Sequence, residues 1–348
     1  MSQLNKILII RFSSIGDIIL ASPLIRILRR AYPDALIDFL TKAEYTDLVR
    51  SNPYLSAVFD LKSGDRAELR RIRQKIRSER YDAIFDIHNS LRSRFVRFGS
   101  GARKTFVVDK RIFHRFLLVN LRKNRYSAVV PVPLRYLEAG KTLGLQDDGA
   151  GLDVFVMEEI ASNVTSRLGR LDLGRFDHVV GLVPSARHFT KQWPMERFVE
   201  FGVKCVKDRK AGLLVFGGKE DAEYCGDIVH MINAETTGRA AESLAGSLSL
   251  QETAVAMDRC EIVVTNDTGL MHLAAARKRK VVAIFGSTVK EFGFFPFGTD
   301  HAVVERDGLE CRPCSHVGLP HCPEGHFKCM RDISAAQVLE AADPFFEK

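Results

Sequence analysis

The sequence predicts an α/β protein of two doubly wound domains, and three observations carry that expectation. Apolar, β-branched runs alternate with helical patterns along nearly the whole chain, which is the signature of parallel sheets covered by helices on both faces. The 348 residues exceed one typical α/β domain and suit two of about 150 to 180 residues. The stretch Glu261 to Thr288 reads strand, Asn-Asp-Thr-Gly turn, Ala-rich helix, strand, and a parallel pair joined in this way places its loop at the carboxyl end of the sheet. Open α/β sheets bind ligands at that end.

The elements follow in order. Lys6 to Phe12 reads as a buried first strand, Ser13-Ser14-Ile15-Gly16-Asp17 as a tight polar loop, and Ile18 to Arg30 as a helix with a basic end that suits its dipole. Strands are expected at Leu36 to Leu40, Ala57 to Leu61, Ala83 to Ile87 and Thr105 to Val108, with a basic helix at Ala67 to Arg80. Leu134 to Leu145 and Glu158 to Leu168 read as helices on either side of a polar, Gly-rich loop, Gln146 to Leu152. The pattern then restarts: strand His178 to Pro184, helix Pro194 to Lys207, strand Gly212 to Phe216, and helices Ala222 to Asn233 and Leu250 to Cys260. We therefore expect two Rossmann-like domains, residues 1–165 and 175–333, facing one another across a cleft. A C-terminal helix in 334–348 is expected to return and brace the first domain.

Charge narrows the function. From Arg66 to Arg125 there are 18 Lys or Arg against five Asp or Glu, so a chain of net charge +8 has a local excess of +13 and a mildly acidic remainder. The basic half is built to meet anions: a phosphorylated substrate, an anionic lipid or nucleic acid. No nucleic-acid motif accompanies the charge. Phe113, Phe116, Leu117 and Leu118 interleave with Lys110, Arg111, Arg115, Arg122, Lys123 and Arg125, which fits either a helix lying on an anionic membrane surface or a solvated helix face with its core side. No run is long and apolar enough to span a membrane. The first loop holds one glycine, Gly16, where a dinucleotide site needs G-x-G-x-x-G, so a nicotinamide or flavin is not expected. It offers a carboxylate instead, Asp17, which either serves chemistry at the strand end or only complements the helix dipole.

Three loops of the second half end on candidate ligand groups. Ser185, Arg187 and Lys191 precede Trp193-Pro194, Gly217-Gly218 precede Asp221, and Asn266, Asp267, Thr268 and Gly269 open a helix whose first amides suit an anion. A phosphate between a helix N-terminus and a lysine, with a carboxylate for a ribose, describes a nucleoside diphosphate site.

At these residues the chain resembles the ADP-heptose:lipopolysaccharide heptosyltransferases, glycosyltransferase family nine. The resemblance rests on Ile9-Ile10-Arg11-Phe12-Ser13-Ser14-Ile15-Gly16-Asp17, on Lys191-Gln192-Trp193-Pro194, and on Asn266-Asp267-Thr268-Gly269-Leu270-Met271-His272-Leu273 with the alanines after it. It implies the GT-B fold, an acceptor held by the N-terminal half, a nucleotide sugar held by the C-terminal half, and inversion at the anomeric carbon without a catalytic metal. By the same resemblance Asp17 is the general base within the loop of Ser14 and Gly16. Ser185, Lys191, Asp221, Asn266, Asp267, Thr268, Gly269 and His272 serve the donor, His272 alternatively being a packed helix residue. Arg92 and Arg94 meet a lipid-linked anionic acceptor at the cytoplasmic face of the inner membrane. The chain departs from the family at Gly286-Ser287-Thr288-Val289 and at Lys278-Arg279-Lys280, both expected to adjoin the donor pocket.

Cys311, Cys314, Cys322 and Cys329 fall within 19 residues, with His316, His321 and His326 among them. They read either as ligands of a structural zinc or iron ion or as free packed thiols. The expected activity is heptose transfer from ADP-heptose to the lipopolysaccharide inner core. Alternatives are transfer of another sugar, transfer to a protein, or a non-catalytic protein that binds anionic glycolipid.

Overall fold

The computed structural model describes residues 3–346. Its first sheet holds five parallel strands: β1 (Lys6–Ile10), β2 (Leu36–Lys42), β3 (Ala57–Leu61), β4 (Ala83–Asp86) and β5 (Lys104–Val107), in the spatial order β3-β2-β1-β4-β5. Its second holds six: β6 (His178–Val183), β7 (Ala211–Val215), β8 (Ala241–Ser243), β9 (Ile262–Asn266), β10 (Lys280–Phe285) and β11 (His301–Glu305), in the order β11-β10-β9-β6-β7-β8. Every pairing is parallel. The central strands are continuous apolar runs because helices cover both of their faces; Ile7 to Ile10 and Ile262 to Val264 are fully buried.

The strand order decides where ligands go. In the first sheet the winding reverses between β1 and β4, and in the second between β6 and β9. Loops leaving two such neighbours diverge to opposite faces and leave a crevice at the carboxyl ends of the strands.

Several elements differ from the reading of the sequence. The helix expected over Ile18 to Arg30 is two helices, Ile15–Ile19 and Ser22–Ala31, with Pro23 at the start of the second, where its fixed φ and missing amide cost nothing. The helix read from the interleaved basic and apolar residues is present as Ile112–Leu121, whereas the helix Leu91–Arg97 and the strands β8 and β11 had no clear periodicity to announce them.

The chain divides into two compact units, one of residues 1–112 and 130–155, the other of 113–129 and 156–348. The segment 113–129, expected with the first domain, belongs to the second unit, where Asn124 donates to Glu291 at 2.9 Å and Arg122 donates to the Pro313 carbonyl. The polar loop at Gln146 to Leu152 is tied into the first unit. There Arg26 makes a bidentate pair with Asp148 (2.8 and 2.6 Å) and a further ion pair with Asp153. The C-terminal helix Ala335–Phe346 is part of the second unit. Its apolar face (Ala335, Val338, Ala342, Phe346) lies in the core of the second unit, with Arg209 bonded to Asp343 at 2.6 Å.

Candidate functional site

In the first unit the reversal between β1 and β4 carries a buried charged cluster. Arg11 follows β1, and its guanidinium donates to the Ser13 carbonyl, to the Ile87 carbonyl beyond β4 (both 2.7 Å) and to Asp17 Oδ2 at 2.6 Å. Asp17 sits in the first turn of Ile15–Ile19. Its Oδ2 also accepts from the Ser14 amide at 3.2 Å and the Ser14 hydroxyl at 2.9 Å, while Gly16 is buried beneath the turn. Burial works to raise the Asp17 pKa, but the Arg11 charge and the Ser14 donors overcome it and hold the carboxyl below its ordinary value. His88, whose ring lies 5.0 Å from Phe12, is pushed down to about 3 by burial and by Arg11 and Lys110, so its imidazole is neutral at neutral pH. Tyr136, from the helix Val132–Ala139, lies 5.9 Å from the Arg11 guanidinium, and burial raises its pKa.

Arg11, His88 and Tyr136 were not singled out as site residues in the sequence. Arg11 was legible, being the first charged residue after an apolar strand at the end where ligands bind. Tyr136 arrives from a helix 119 residues after Asp17, and no local pattern could have placed it there.

Arg92 and Arg94 lie on the exposed side of Leu91–Arg97, where Arg94 Nε donates to Asn89 Oδ1 at 3.1 Å. Neither is among the groups that touch Asp17. The same helix exposes Leu91 and Phe95, with Phe98 just beyond it, and Arg73 stacks 5.1 Å from the Phe95 ring and 5.9 Å from that of Phe98.

In the second unit the reversal between β6 and β9 gathers Ser185, Lys191 and Asn266 to Gly269. Trp193 is the anchor: its fully buried indole donates to the Ile333 carbonyl at 3.0 Å, and its backbone amide donates to Asn266 Oδ1 at 3.0 Å. Asn266 Nδ2 donates in turn to the Pro184 carbonyl at 2.8 Å. These bonds seat Lys191, whose ammonium meets Asp267 Oδ2 at 2.6 Å, and Thr288 donates its hydroxyl to the same oxygen at 2.7 Å.

One expectation changes here, and the loop residues find specific partners. Asn266 and Asp267 do not cap the helix Gly269–Ala276; Thr268 is its N-cap residue, and the two polar side chains are used to cross-link strand ends. Thr288, counted as part of a departure, supports the Asp267 carboxylate. Lys278-Arg279-Lys280 does not adjoin the donor pocket, because Lys280 starts β10 while the site lies past Phe285 at its other end. Lys280 Nζ donates to the Phe345 carbonyl, and Arg279 to those of Arg277 and Cys260.

Asp221, after β7, accepts from the Gly218 amide at 2.8 Å. A Cβ on Gly217 would stand 2.9 Å from that of Asp221, so the turn admits only glycine without a shift. Ser185 is nearly buried, and His272 is buried on its helix with its ring 6.4 Å from Phe294. The hydroxyl of Ser287, past the end of β10, is buried with no hydrogen-bond partner.

The cysteine-rich segment leans on this site. Leu319 and Thr190 exchange backbone and hydroxyl bonds of 2.8 to 3.3 Å, and Arg312 donates to the Thr288 carbonyl at 2.7 Å. The four cysteines are free thiols. Cys314 Sγ donates to the Cys311 carbonyl at 3.1 Å, Cys311 faces His326 Nε2 at 3.8 Å, and Cys329 is buried in the core. Among the described residues no three Cys, His, Asp or Glu are disposed around one point where an ion could sit. Burial, and then the nearby cysteines, push Cys314 up to about 11 and Cys329 up to about 12.

The likeness to known proteins agrees with this architecture. A sequence profile for glycosyltransferase family 9 (heptosyltransferase) matches residues 69–321. The chain is 27% identical to lipopolysaccharide heptosyltransferase 2 of Escherichia coli K12 over 300 residues, covering 82% of this chain and 84% of that one. It is 27% identical to lipooligosaccharide heptosyltransferase 2 of Haemophilus influenzae over 367 residues, covering 99% and 100%. The solved E. coli ADP-heptose heptosyltransferase II, 24% identical, superposes over 98% of both chains with a TM-score of 0.73, which shows that the two parallel sheets are those of a GT-B fold. With the profile matching most of its length, this chain belongs to glycosyltransferase family 9, the heptosyltransferases.

Proposed function

We propose that this glycosyltransferase moves a heptose from ADP-heptose onto the inner core of lipopolysaccharide, with inversion and without a catalytic metal. The observation that carries the reading is the ionised, half-buried Asp17 at the reversal of the first sheet. An acceptor hydroxyl attacks the anomeric carbon, the bond from that carbon to the diphosphate breaks with its electron pair leaving on ADP, and the hydroxyl proton passes to Asp17. Negative charge grows on the diphosphate as the sugar approaches an oxocarbenium ion. Lys191 and the amides at Thr268 and Gly269 offset that charge, with Asp267 and Thr288 holding Lys191 in place until the diphosphate arrives. Asp221 takes the ribose and Ser185 lines the donor seat. The basic helices, with Arg92 and Arg94, take the anionic acceptor, and the exposed Leu91, Phe95 and Phe98 among them rest on the membrane that carries it.

The names of the relatives support the sugar and the acceptor, and the local excess of +13 supports an anionic lipid-linked one. Asp17→Asn tests the mechanism. Transfer measured with ADP-heptose and a core acceptor in EDTA should fall by about 10² to 10⁴, while calorimetric binding of ADP stays unchanged. Transfer that survives the substitution would remove Asp17 as the base, and ADP binding that requires magnesium would remove the metal-free donor site.

A structural zinc at Cys311, Cys314, Cys322 and Cys329 is a separate proposal. Thiolates are its ordinary ligands, and Cys329 responds to the charge of each of the other three, so the four lie in one neighbourhood although their sulfurs do not converge.

A further inference from the structure

Asp17 is held through one oxygen. Its Oδ2 takes three hydrogen bonds, from Arg11 and from the amide and hydroxyl of Ser14. Its Oδ1 receives none of them. One buried polar atom nearby, His88 Nδ1, ends without a hydrogen-bond partner, and the Tyr136 hydroxyl lies against Asp17 with no completed hydrogen bond. Buried polar atoms are normally satisfied, so unsatisfied ones beside a candidate base mark the place of a polar ligand. Arg11 is itself fixed by two carbonyls on separate loops, which leaves its guanidinium no freedom to follow the substrate.

The geometry points to Arg11 as a positioning residue that ties up Asp17 Oδ2 and leaves Oδ1 as the oxygen that takes the acceptor proton, with the Tyr136 hydroxyl and His88 as the polar groups awaiting that acceptor hydroxyl. The inference rests on Asp17 as the general base and adds which oxygen works and what aims it. The proton moves from the acceptor oxygen to Oδ1 as the new glycosidic bond forms, and Arg11 keeps its own proton throughout. A cation on Oδ2 lowers the basicity of the whole carboxylate, so Arg11 trades driving force for orientation and for a base that stays ionised in acid.

Other charges around Asp17 are accounted for. Arg11 also faces Asp86 and Tyr136, and Arg135 acts on Tyr136 from the same helix. His88 feels Arg11, Lys110 and Arg92 and is neutral. In the short helical segment Ala43–Leu48 beside the Asp17 turn, Glu44 pairs with Lys42 at 3.2 Å and Asp47 with Arg50 at 3.8 Å.

The test is the pH profile of kcat/KM for Arg11→Gln and Arg11→Lys, each also in a His88→Gln background so that the imidazole adds no second limb. Loss of the cation lets burial raise the Asp17 pKa, so the acid limb of Arg11→Gln should move up by about one pH unit or more. Arg11→Lys keeps a charge but cannot hold Oδ2 and both carbonyls together. Its limb should stay near that of the parent while kcat falls by about tenfold or more. An acid limb of Arg11→Gln that stays in place overturns the inference, even if the protein melts at a lower temperature. Where Arg11→Gln does not fold, a kcat for Arg11→Lys equal to that of the parent overturns it. Full activity of Asp17→Asn would instead remove the base reading itself, so the two failures are distinct.

Discussion

At the scale of single residues, the charges that matter are the ones the fold has taken from water. Arg26 is 3% exposed in its side chain, pairs with Asp148 and Asp153, and donates to the Gly151 carbonyl at 3.0 Å, so one guanidinium fixes the loop 148–153 to the helix Ser22–Ala31. Arg26→Ala would leave two carboxylates facing one another in a half-buried place and should cost about 3 to 5 kcal/mol of unfolding free energy, read by urea titration. The pH dependence has a definite sign. The Arg26 bond holds Asp148 down to about 2 in the folded state, against an ordinary carboxylate value of about 3.9 when unfolded. Its stabilisation is therefore complete above about pH 4 and is lost as the pH falls through about 2. Thermal unfolding between pH 5 and 2 should show a larger stability loss in the parent than in Arg26→Ala, and parallel curves would contradict the assignment.

At the scale of elements, the second site is made by one buried cross-link. The sequence segments Lys191 to Pro194 and Asn266 to Gly269 are 73 residues apart from Trp193 to Asn266, yet a single amide-to-side-chain bond joins them. The segment 311–329 then braces the same loops from outside, through Leu319 to Thr190 and through Arg312 to Thr288. A Cβ on Gly286 would stand 2.9 Å from the Thr190 carbonyl oxygen and 2.8 Å from Met330, which shows how closely the braced loops approach. If a zinc ion draws the four cysteines together, its removal should loosen the Lys191 loop. The purified protein should then carry about one zinc per chain by mass spectrometry, and a strong chelator should weaken ADP binding. Protein with no zinc and unchanged ADP affinity would leave packed thiols as the account of this segment.

At the scale of the whole molecule, the proposed membrane contact draws on the uneven charge and on exposed apolar side chains in each unit. Leu91 is 83% and Phe98 77% exposed, and Ile112, Phe113, Phe116 and Leu121 are exposed on their own helix, in stretches rich in arginine. No helix among the described residues is long and apolar enough to cross a membrane. Flotation with phosphatidylglycerol vesicles should recover the protein at low salt and release it as salt rises. Leu91→Ser with Phe98→Ser should reduce recovery by about tenfold or more. Recovery on neutral phosphatidylcholine alone, or no effect of the pair, would argue against this surface.

The sequence by itself determined the fold class, because continuous apolar runs alternating with helical periods have one stable solution, a parallel sheet covered on both faces. It also determined the chemical vocabulary of the sites. Asp17, Lys191, Asp221 and Asn266 to Gly269 all follow apolar strands, and the carboxyl ends of parallel strands are where such residues gather. Only the tertiary structure decided which of them touch. That Asn266 bonds Trp193 instead of capping its own helix, that Thr288 supports Asp267, and that Arg11 and Tyr136 converge on Asp17 all depend on strand order. Strand order is set by long-range packing between segments that carry no record of one another in local periodicity. The last helix shows the same limit. Its apolar stripe announced that it must pack, but a stripe of Ala, Val and Phe fits many faces, and only the core of the second unit showed which one it covers.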